Sequence, residues 1–324
     1  MRIIPVFIPH EGCPHDCVFC NQRRIAAPVS PKPEEVREQV CTALKTAGAG
    51  AQVAFYGGSF TAIAPEKQEA YLASVKGLPV SIRVSTRPDA IDEETLARLQ
   101  KYGVKTIELG AQSMSDAVLA RAGRGHSAED TRRACRLIRD FGGFELILQL
   151  MCGLPGDEDT RFFSAREAAK LHPDGVRIYP VVVVRETALY DLWKAGQYTP
   201  LTVDEGARTA AQMLEVFIEA DIPVLRIGLN PTEELSSGGA AAGAYHPALG
   251  EMARSYVYLS RILAAAGAPR EGKLTVYVNQ NRLSQAIGVK RANLDALRRL
   301  GYTNVSVKGR AGIGEFEVVL DSDY

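Results

Sequence analysis

Several features that define other protein classes are missing from this sequence of 324 residues. No stretch holds the roughly 18 consecutive apolar residues that a membrane helix needs, so no membrane partner is predicted. The opening segment, MRIIPVFIPHEG, has neither a long apolar run nor a small-residue cleavage site, so no secretory leader is predicted. Six cysteines, three of them isolated, do not make a disulfide framework. We therefore expect a cytoplasmic protein with reduced thiols.

Overall charge is equally uninformative. Lys and Arg together number 38, as do Asp and Glu, so net charge indicates no nucleic-acid partner. Contents of 46% apolar and 23% charged residues are those of an ordinary globular protein. The length allows one large domain and one small one.

Three cysteines are concentrated in the segment CPHDCVFC. Cys13, Cys17 and Cys20 offer three thiolates from one loop. A structural zinc ion would need a fourth ligand, for which His10 and His15 are the nearby candidates. An iron–sulfur cubane ordinarily takes four thiolates, so three would leave one iron open to another ligand. Both interpretations stay open on spacing alone, and we favour the cluster.

Short apolar segments alternate with amphipathic ones along most of the chain. Asp92 and Ser127 are predicted caps of two of the intervening helices. The alternation predicts an α/β fold, a partial (β/α)6-type TIM barrel, with IPVLRIGL near residue 225 as a candidate further strand. Six segments rich in β-branched residues are the predicted buried strands: IIPVFIP, QVAFYGG, VSIRVST, TIELGAQ, ELILQLMCG and GVRIYPVVVV.

Chemically unusual segments follow these strands. They are the cysteine segment, YGGSFT, STRPD, GAQS and QLMCGLPGD. In barrels of this type the loops after the strands build the site, so we expect these segments to converge on one rim.

The pattern changes toward the C-terminus. Residues 1–235 form the predicted barrel, and the Gly- and Ala-rich residues 236–267 predict a mobile loop and a helix that extend it. Residues 268–324 predict a separate small α+β domain with the order strand, helix, tight turn, helix, strand.

This last segment resembles a K-homology (KH) RNA-binding core, in which a GxxG loop between two helices clamps a nucleic-acid backbone. Gly288 supplies the first glycine, and Arg291 stands at the position of the second. Between residues 270 and 310 there are nine Lys and Arg residues against two acidic ones. RNA binding is one interpretation of this basic patch, and a solvated helix face is the other.

The cysteine segment resembles the CxxxCxxC signature of the radical S-adenosylmethionine (SAM) enzymes, in which the open iron of a [4Fe–4S] cluster binds SAM. YGGSFT resembles the glycine-rich turn of that family. The segments STRPD, ELGAQSMSDAVLARAGRGHS and GLPGD, and the block after RIYP, extend the resemblance over roughly residues 1–230. They are most similar to the radical SAM domain of the Elongator catalytic subunit, and more distantly to oxygen-independent coproporphyrinogen III oxidase.

The resemblance implies roles for individual residues. The three clustered cysteines would bind the cluster, and Phe19 would pack near the adenine of SAM. Gly57 and Gly58 would let the backbone approach the methionine group of SAM, with help from Ser59.

Four further positions match SAM contacts of the relatives. Gln112 and Arg124 correspond to polar contacts, and the guanidinium of Arg124 suits a carboxylate. Ser85 stands where both relatives carry Glu, and Gln149 stands where the oxidase carries Asp. The resemblance therefore implies SAM contacts that differ at these two positions.

The implied activity is reductive cleavage of SAM at a [4Fe–4S] cluster to a 5′-deoxyadenosyl radical, with flavodoxin or ferredoxin as electron donor. The predicted substrate is an RNA such as tRNA, and Tyr179 and Arg185 are predicted substrate-pocket residues. The alternatives are a small-molecule substrate, or a non-catalytic RNA-binding protein that keeps a cluster. We expect neither an acetyltransferase domain nor a second cluster. Cys41, Cys135 and Cys152 are predicted to pack in the core.

Overall fold

A computed structural model of the chain describes residues 2–21, 29–48, 50–231, 235–267 and 272–321. Within these ranges no helix is long and apolar enough to cross a membrane. The strands and helices below are numbered in chain order.

Seven parallel strands form the main sheet, in the order β1-β2-β3-β4-β5-β6-β8. Residues from the first strand to the last line one cavity, which shows that the sheet curls around it as a partial barrel. The predicted fold class, five of the six predicted strands and the further strand near residue 225 are confirmed, and the sixth predicted strand, GVRIYPVVVV, is confirmed only in its first part. The strands are β1 Ile3–Phe7, β2 Ala51–Tyr56, β3 Val80–Thr86, β4 Val104–Gln112, β5 Glu145–Cys152, β6 Gly175–Pro180 and β8 Val224–Ile227.

Helices cover the outer face of this sheet. The predicted caps are confirmed: Asp92 accepts a hydrogen bond from the Thr95 amide, and Ser127 forms a reciprocal capping box with Asp130. The helices are α1 Pro33–Ala47, α2 Pro65–Ser74, α3 Glu93–Lys101, α4 Asp116–Arg121, α5 Ala128–Phe141, α6 Arg161–Ala169, α7 Ala188–Lys194, α8 Val203–Glu219 and α9 Leu249–Ala266.

The two faces of the sheet differ in chemistry. Residues such as Val84, Ile107 and Leu148 point to the helices and are buried in the main hydrophobic core. Their neighbours in sequence, Arg83 and Glu108 among them, point the other way, because side chains alternate along a strand. The barrel interior is therefore polar and available for a site.

The isolated cysteines differ in their surroundings. Cys135 and Cys152 are buried in the core as predicted. Cys41 is exposed, and the prediction that it packs in the core is wrong. Helix α1 buries Val36 and Val40, so the residue that follows Val40 is turned about 100° toward solvent.

The segment GVRIYPVVVV does not form one strand. Strand β6 ends at Pro180, and β7 (Val182–Val184) leaves the barrel to pair antiparallel with β9 (Ala240–Gly243). Gly243 has a φ of 96°, and a Cβ there would lie 2.7 Å from the Val181 carbonyl oxygen. The Gly- and Ala-rich stretch thus supplies a strand that pattern reading missed, because small residues carry little strand signal.

The C-terminal segment has the predicted order of elements. Strand β10 (Gly272–Asn279), helices α10 (Leu283–Ile287) and α11 (Ala292–Arg299) and strand β11 (Tyr302–Arg310) follow one another. Strand β10 lies between a parallel β11 and an antiparallel β12 (Val318–Leu320), which was not predicted. The apolar core continues from the barrel into this sheet, and the boundary at residue 268 lies outside the described residues. The division into domains stays a prediction.

Candidate active site

The three clustered cysteines lie in the loop after β1 and line a cavity of about 730 Å³ at the rim of the barrel. All three are partly buried. The Cys20 amide donates to the Cys17 carbonyl oxygen at 3.0 Å, and the Cys13 amide donates to the His10 carbonyl oxygen at 3.3 Å. These turns bring three cysteines that span eight positions to the same cavity. We refer to residues 10–20 as the cysteine loop.

Close backbone approach holds one side of this loop. A Cβ on Gly12 would lie 2.2 Å from the Ser59 carbonyl oxygen, and a Cβ on Gly58 would lie 2.1 Å from the Glu11 carbonyl oxygen. The Ser59 amide donates to the same Glu11 oxygen at 2.8 Å. Only glycine permits this approach, so the loop after β1 and the loop after β2 form one rigid unit.

The turn between α4 and α5 holds the other side. The Val18 amide donates to the Ala122 carbonyl oxygen at 3.1 Å, and a Cβ on Gly125 would collide with the His15 ring. Arg124 donates to the Cys17 sulfur at 3.3 Å and to the Gly110 carbonyl oxygen at 2.7 Å. The GRG sequence thus places one guanidinium directly beside a thiol of the loop.

The donor set fits an iron–sulfur cluster better than a single metal ion. Among the described residues, no three His, Cys, Asp or Glu side chains are arranged to hold one ion. In a cubane each thiolate binds a different iron, so the thiols need to line a cavity without meeting at one point. Three cysteines that line one cavity without forming a single-ion site among the described residues match that requirement.

Most of the predicted SAM and substrate residues line the same cavity. They come from six different strands and the segments that follow them, as expected if these segments converge on one rim. Two predicted site residues, Ser59 and Arg185, do not line it. Those that do are Phe19, Gly57, Gly58, Ser85, Gln112, Arg124, Gln149 and Tyr179.

Ser59 is fully buried behind the cavity wall. Its hydroxyl lies 3.0 Å from the Thr86 hydroxyl and accepts from the Arg87 amide at 3.2 Å. This contact ties the YGGSFT turn to the STRPD segment. Ser59 therefore supports the turn, and its hydroxyl does not face the cavity.

Arg185 is exposed and lies away from the cavity lining. Its Nε donates to the Gly238 carbonyl oxygen at 3.0 Å, and its guanidinium lies 5.9 Å from the centre of the Tyr190 ring. These contacts fasten the loop after β7 to the segment before β9. The structure does not bring this residue to the other candidate residues.

Ser85 stands where the relatives carry Glu, and Glu108 lies next to it on the adjacent strand. The Gln149 amide donates to Glu108 Oε2 at 2.6 Å and lies 3.5 Å from the Ser85 hydroxyl. Ser85 and Glu108 are paired in register on adjacent strands. A carboxylate is therefore still present behind these two residues, but it comes from β4.

Sequence reasoning missed a polar floor beneath the predicted residues. Fully buried Glu108 accepts from Arg177 at 3.0 Å and from the Tyr56 hydroxyl at 3.2 Å, and it also pairs with Arg83. Burial and the nearby Glu108 charge raise the pKa of the Tyr56 phenol. A signal was available: VSIRVST, TIELGAQ, GVRIYP and VLRIGL each carry one charged residue inside an apolar strand. Such residues must be paired when buried.

Fold and site together define an enzyme of the open α/β barrel class with a three-thiol loop beside a ligand-sized cavity. The profile of the Radical SAM superfamily matches residues 7–168, half of the chain, and that of the Radical_SAM C-terminal domain matches residues 173–259. The chain belongs to the radical SAM superfamily. It is an enzyme, and its cofactors are a [4Fe–4S] cluster and SAM.

Individual relatives share part of the chain. The tRNA uridine(34) acetyltransferase of Methanocaldococcus jannaschii is 36% identical over 130 residues, 39% of this chain and 24% of the relative. Human Elongator complex protein 3 is 29% identical over 160 residues, 45% of this chain and 28% of the relative. The matched segments thus span about a quarter of the length of these relatives.

A solved structure is similar in fold. The archaeal Methanocaldococcus infernus Elp3 with an N-terminal deletion has a TM-score of 0.60 at 22% identity. The alignment covers 79% of this chain and 62% of that one. The similarity therefore extends beyond the segment that matches the superfamily profile.

Proposed function

We propose that Cys13, Cys17 and Cys20 hold the cluster and that the enzyme modifies an RNA. The observation that carries the first part is the meeting of three thiols, a glycine turn and polar strand ends around one cavity of about 730 Å³. When bound, the reduced cluster supplies the electron that cleaves SAM into methionine and a 5′-deoxyadenosyl radical, which abstracts hydrogen from the substrate. An external donor such as flavodoxin or ferredoxin belongs to this proposal.

The chain's own residues bind and orient SAM in this proposal. Gly57 has no side chain and so leaves room beside the cavity. Its φ of 109° is a backbone conformation that is readily available only to glycine. Arg124 is placed to attract a carboxylate while it holds Cys17. Phe19 packs in an apolar cluster with buried Val118 and Leu189, so that side of the cavity excludes water.

The turn between α10 and α11 in the C-terminal segment is the structural feature that supports the proposal of an RNA substrate. Lys290 and Arg291 are exposed, and both adopt left-handed conformations, with φ values of 52° and 67°. A Cβ on Gly288 would lie 2.8 Å from the Asn293 amide, so the turn between α10 and α11 is tight. Strain of this kind is kept where the surroundings enforce it, often at binding sites. Neither basic side chain forms an ion pair with a described carboxylate.

Other parts of the predicted basic patch are already paired. Arg282 lies 3.0 Å from Glu315, and Arg298 lies 3.1 Å from Asp295. Arg270 and Glu271 lie outside the described residues. The two residues of the tight turn are therefore the strongest candidates for phosphate contacts. The similarity to tRNA uridine(34) acetyltransferases supports the same class of substrate.

RNA binding can be tested by reversing charge at the turn. A Lys290→Glu/Arg291→Glu variant should bind tRNA more weakly, and the slope of log affinity against log salt should fall by about one per lost phosphate contact. A Lys101→Glu/Lys170→Glu variant makes the same charge change on exposed barrel helices and should leave the slope unchanged. Equal slopes for both variants would remove the turn from the interface.

The enzymatic part is tested by comparing modified nucleosides of RNA from cells with and without the gene. Loss of one modified nucleoside is the expected result. If no nucleoside changes and the purified enzyme shows no salt-sensitive affinity for RNA, a small-molecule substrate becomes the better proposal. The cavity is of a size that suits such a substrate.

A further inference from the structure

We propose that Arg177 and Arg226 form a subsite for an oxyanion of the substrate, a carboxylate or a phosphate, in the cavity below the cysteine loop. This inference rests on the proposed function, since it assigns a recognition element within the same cavity. It concerns a region of the cavity built by β6 and β8, on the side of the sheet away from β1.

Strand register places the two arginines side by side. Strands β6 and β8 are parallel neighbours, and Arg177 is paired with Arg226 in their ladder. Both side chains line the cavity. Tyr179 follows Arg177 on the same face of β6, two residues closer to the rim, and it also lines the cavity. Two guanidinium groups and a phenol therefore approach the same space.

Arg177 is buried, with an exposed fraction of 8%, and one of its N–H groups has no acceptor. Its Nη2 is 3.0 Å from Glu108 Oε1 and 3.1 Å from the Tyr56 hydroxyl, and its Nη1 is 3.4 Å from the Tyr179 hydroxyl. Its Nε is buried and has no hydrogen-bond partner. Glu108 and the two phenols therefore do not use the whole hydrogen-bonding capacity of this guanidinium.

Arg226 has no acidic partner among the described residues. Its Nε donates to the Gly228 carbonyl oxygen at 3.0 Å, and no described carboxylate lies within ion-pair distance. The fully buried carboxylate of Glu108 is already shared by Arg83, Arg177, Tyr56 and Gln149. Arg226 therefore contributes positive charge to the cavity that no described carboxylate neutralises.

The charge balance of the floor favours an anion. Three guanidinium groups, on Arg83, Arg177 and Arg226, face two carboxylates, on Glu108 and Glu145. Of the other two arginines that line the cavity, Arg87 is matched by Asp89 in a bidentate pair at 2.9 Å, and Arg124 contacts Cys17. Guanidinium groups match carboxylates and phosphates because several N–H groups point the same way in one plane. A neutral or cationic group would leave the excess charge uncompensated.

The subsite centres on Arg226, one strand beyond the groups proposed for SAM. Those groups lie in the loops after β1 and β2, at the α4–α5 turn and on β3, β4 and β5, where Gln149 is the register neighbour of Arg177. Arg226 lies on the edge strand β8. The cavity is also lined by Leu225 and Leu229 of this edge and by Ile3 and Pro5 of the opposite edge. An anion held by β8 would therefore occupy the cavity near the gap between the two sheet edges.

Anion binding to the anaerobic, cluster-loaded enzyme tests the proposal, with malonate and uridine 5′-monophosphate as probes and uridine as the uncharged match. Saturable binding by calorimetry is expected for one or both anions, and none for uridine. Arg226→Gln should weaken it about tenfold or more, since a hydrogen-bonded charge is lost. Arg226→Lys should recover part of the affinity. Arg208→Gln removes an exposed charge outside the cavity and should have no effect.

Two controls locate the site. SAM affinity should stay within about twofold in Arg226→Gln, because Arg226 is not among the groups proposed for SAM. The anion should also bind when SAM is already present. Tighter binding of the nucleotide identifies a nucleotide phosphate as the source, and tighter binding of malonate identifies a carboxylic acid. Displacement of the anion by SAM, equal affinity in Arg226→Gln, or no saturable binding of either probe would overturn the proposal. These outcomes do not depend on whether RNA is modified in cells.

Discussion

Replacing Gly58 by alanine should disconnect the cysteine loop from the barrel. Its Cβ would stand 2.1 Å from the Glu11 carbonyl oxygen and 2.8 Å from the Ile8 carbonyl oxygen. Both obstacles are backbone atoms, so no side-chain rotation relieves them. Real Cβ contacts essentially never fall below 3.0 Å, so one of the two loops has to move by about 0.9 Å.

The magnitude follows from two contributions. Overpacking a closely fitted interior costs about 1–3 kcal/mol. The movement also breaks the bond from the Ser59 amide to the Glu11 oxygen, worth about 1 kcal/mol. Stability should therefore fall by about 2–4 kcal/mol. The displaced residue, Glu11, is two positions before Cys13, so the thiol arrangement should change together with the stability.

Iron content after anaerobic reconstitution is the assay, with thermal unfolding of the apoprotein measured in parallel. The wild type should carry about four irons, and Gly58→Ala should carry fewer and show weaker dithionite-bleachable absorption. Gly77→Ala is the matched control: its φ of 80° imposes backbone strain of about 1–2 kcal/mol, but nothing lies within 4 Å of its Cβ. A Gly58→Ala protein with full iron content and unchanged stability would refute the proposal that close backbone approach at Gly58 holds the cysteine loop.

Three further predictions concern the same region. Alanine at all three clustered cysteines should abolish iron binding, whereas Cys41→Ala, at an exposed thiol, should not; a full cluster in the triple variant would contradict the ligand assignment. Glu108→Gln should destabilise the apoprotein by about 3–5 kcal/mol in urea unfolding, because two buried arginines lose their carboxylate, while Glu145→Gln, at a partly exposed carboxylate, should cost far less. Burial, followed by the Arg124 charge, lowers the pKa of His126 to about 4. The unfolded chain therefore binds the proton first, and wild-type stability should fall by about 3 kcal/mol between pH 6.5 and 4, a fall that His126→Gln should largely abolish.

The sequence predicted the barrel well because each strand carries its own local signal. Strands bounded by Gly or Pro and helices with caps such as Asp92 and Ser127 were found because the relevant contacts are between near neighbours in sequence. Strand β9 was missed because AAAG is stabilised by its partner β7, about 60 residues away.

The site was predicted less evenly. Residues in contiguous motifs, such as Cys13 and Gly58, were recognised, whereas Glu108 and Arg226 were not. Their importance lies in the contacts between strands, and no local pattern tells which buried charges meet. Gly58 was assigned to SAM on motif grounds, while its contact with Glu11 could be seen only once the two loops were placed together.

The contacts of Val18 also bear on the order in which the enzyme can be completed during synthesis. The cysteine loop leaves the ribosome first, yet the Val18 amide bonds to Ala122 and the Leu189 amide donates to the Val18 carbonyl oxygen. At ribosomal rates, the roughly 170 residues between the end of the loop and Leu189 take roughly 10–30 s to make. During that interval the three cysteines have been synthesised, but Leu189, which contacts Val18, has not. Loading of the cluster into its final geometry therefore has to wait until Leu189 has been made.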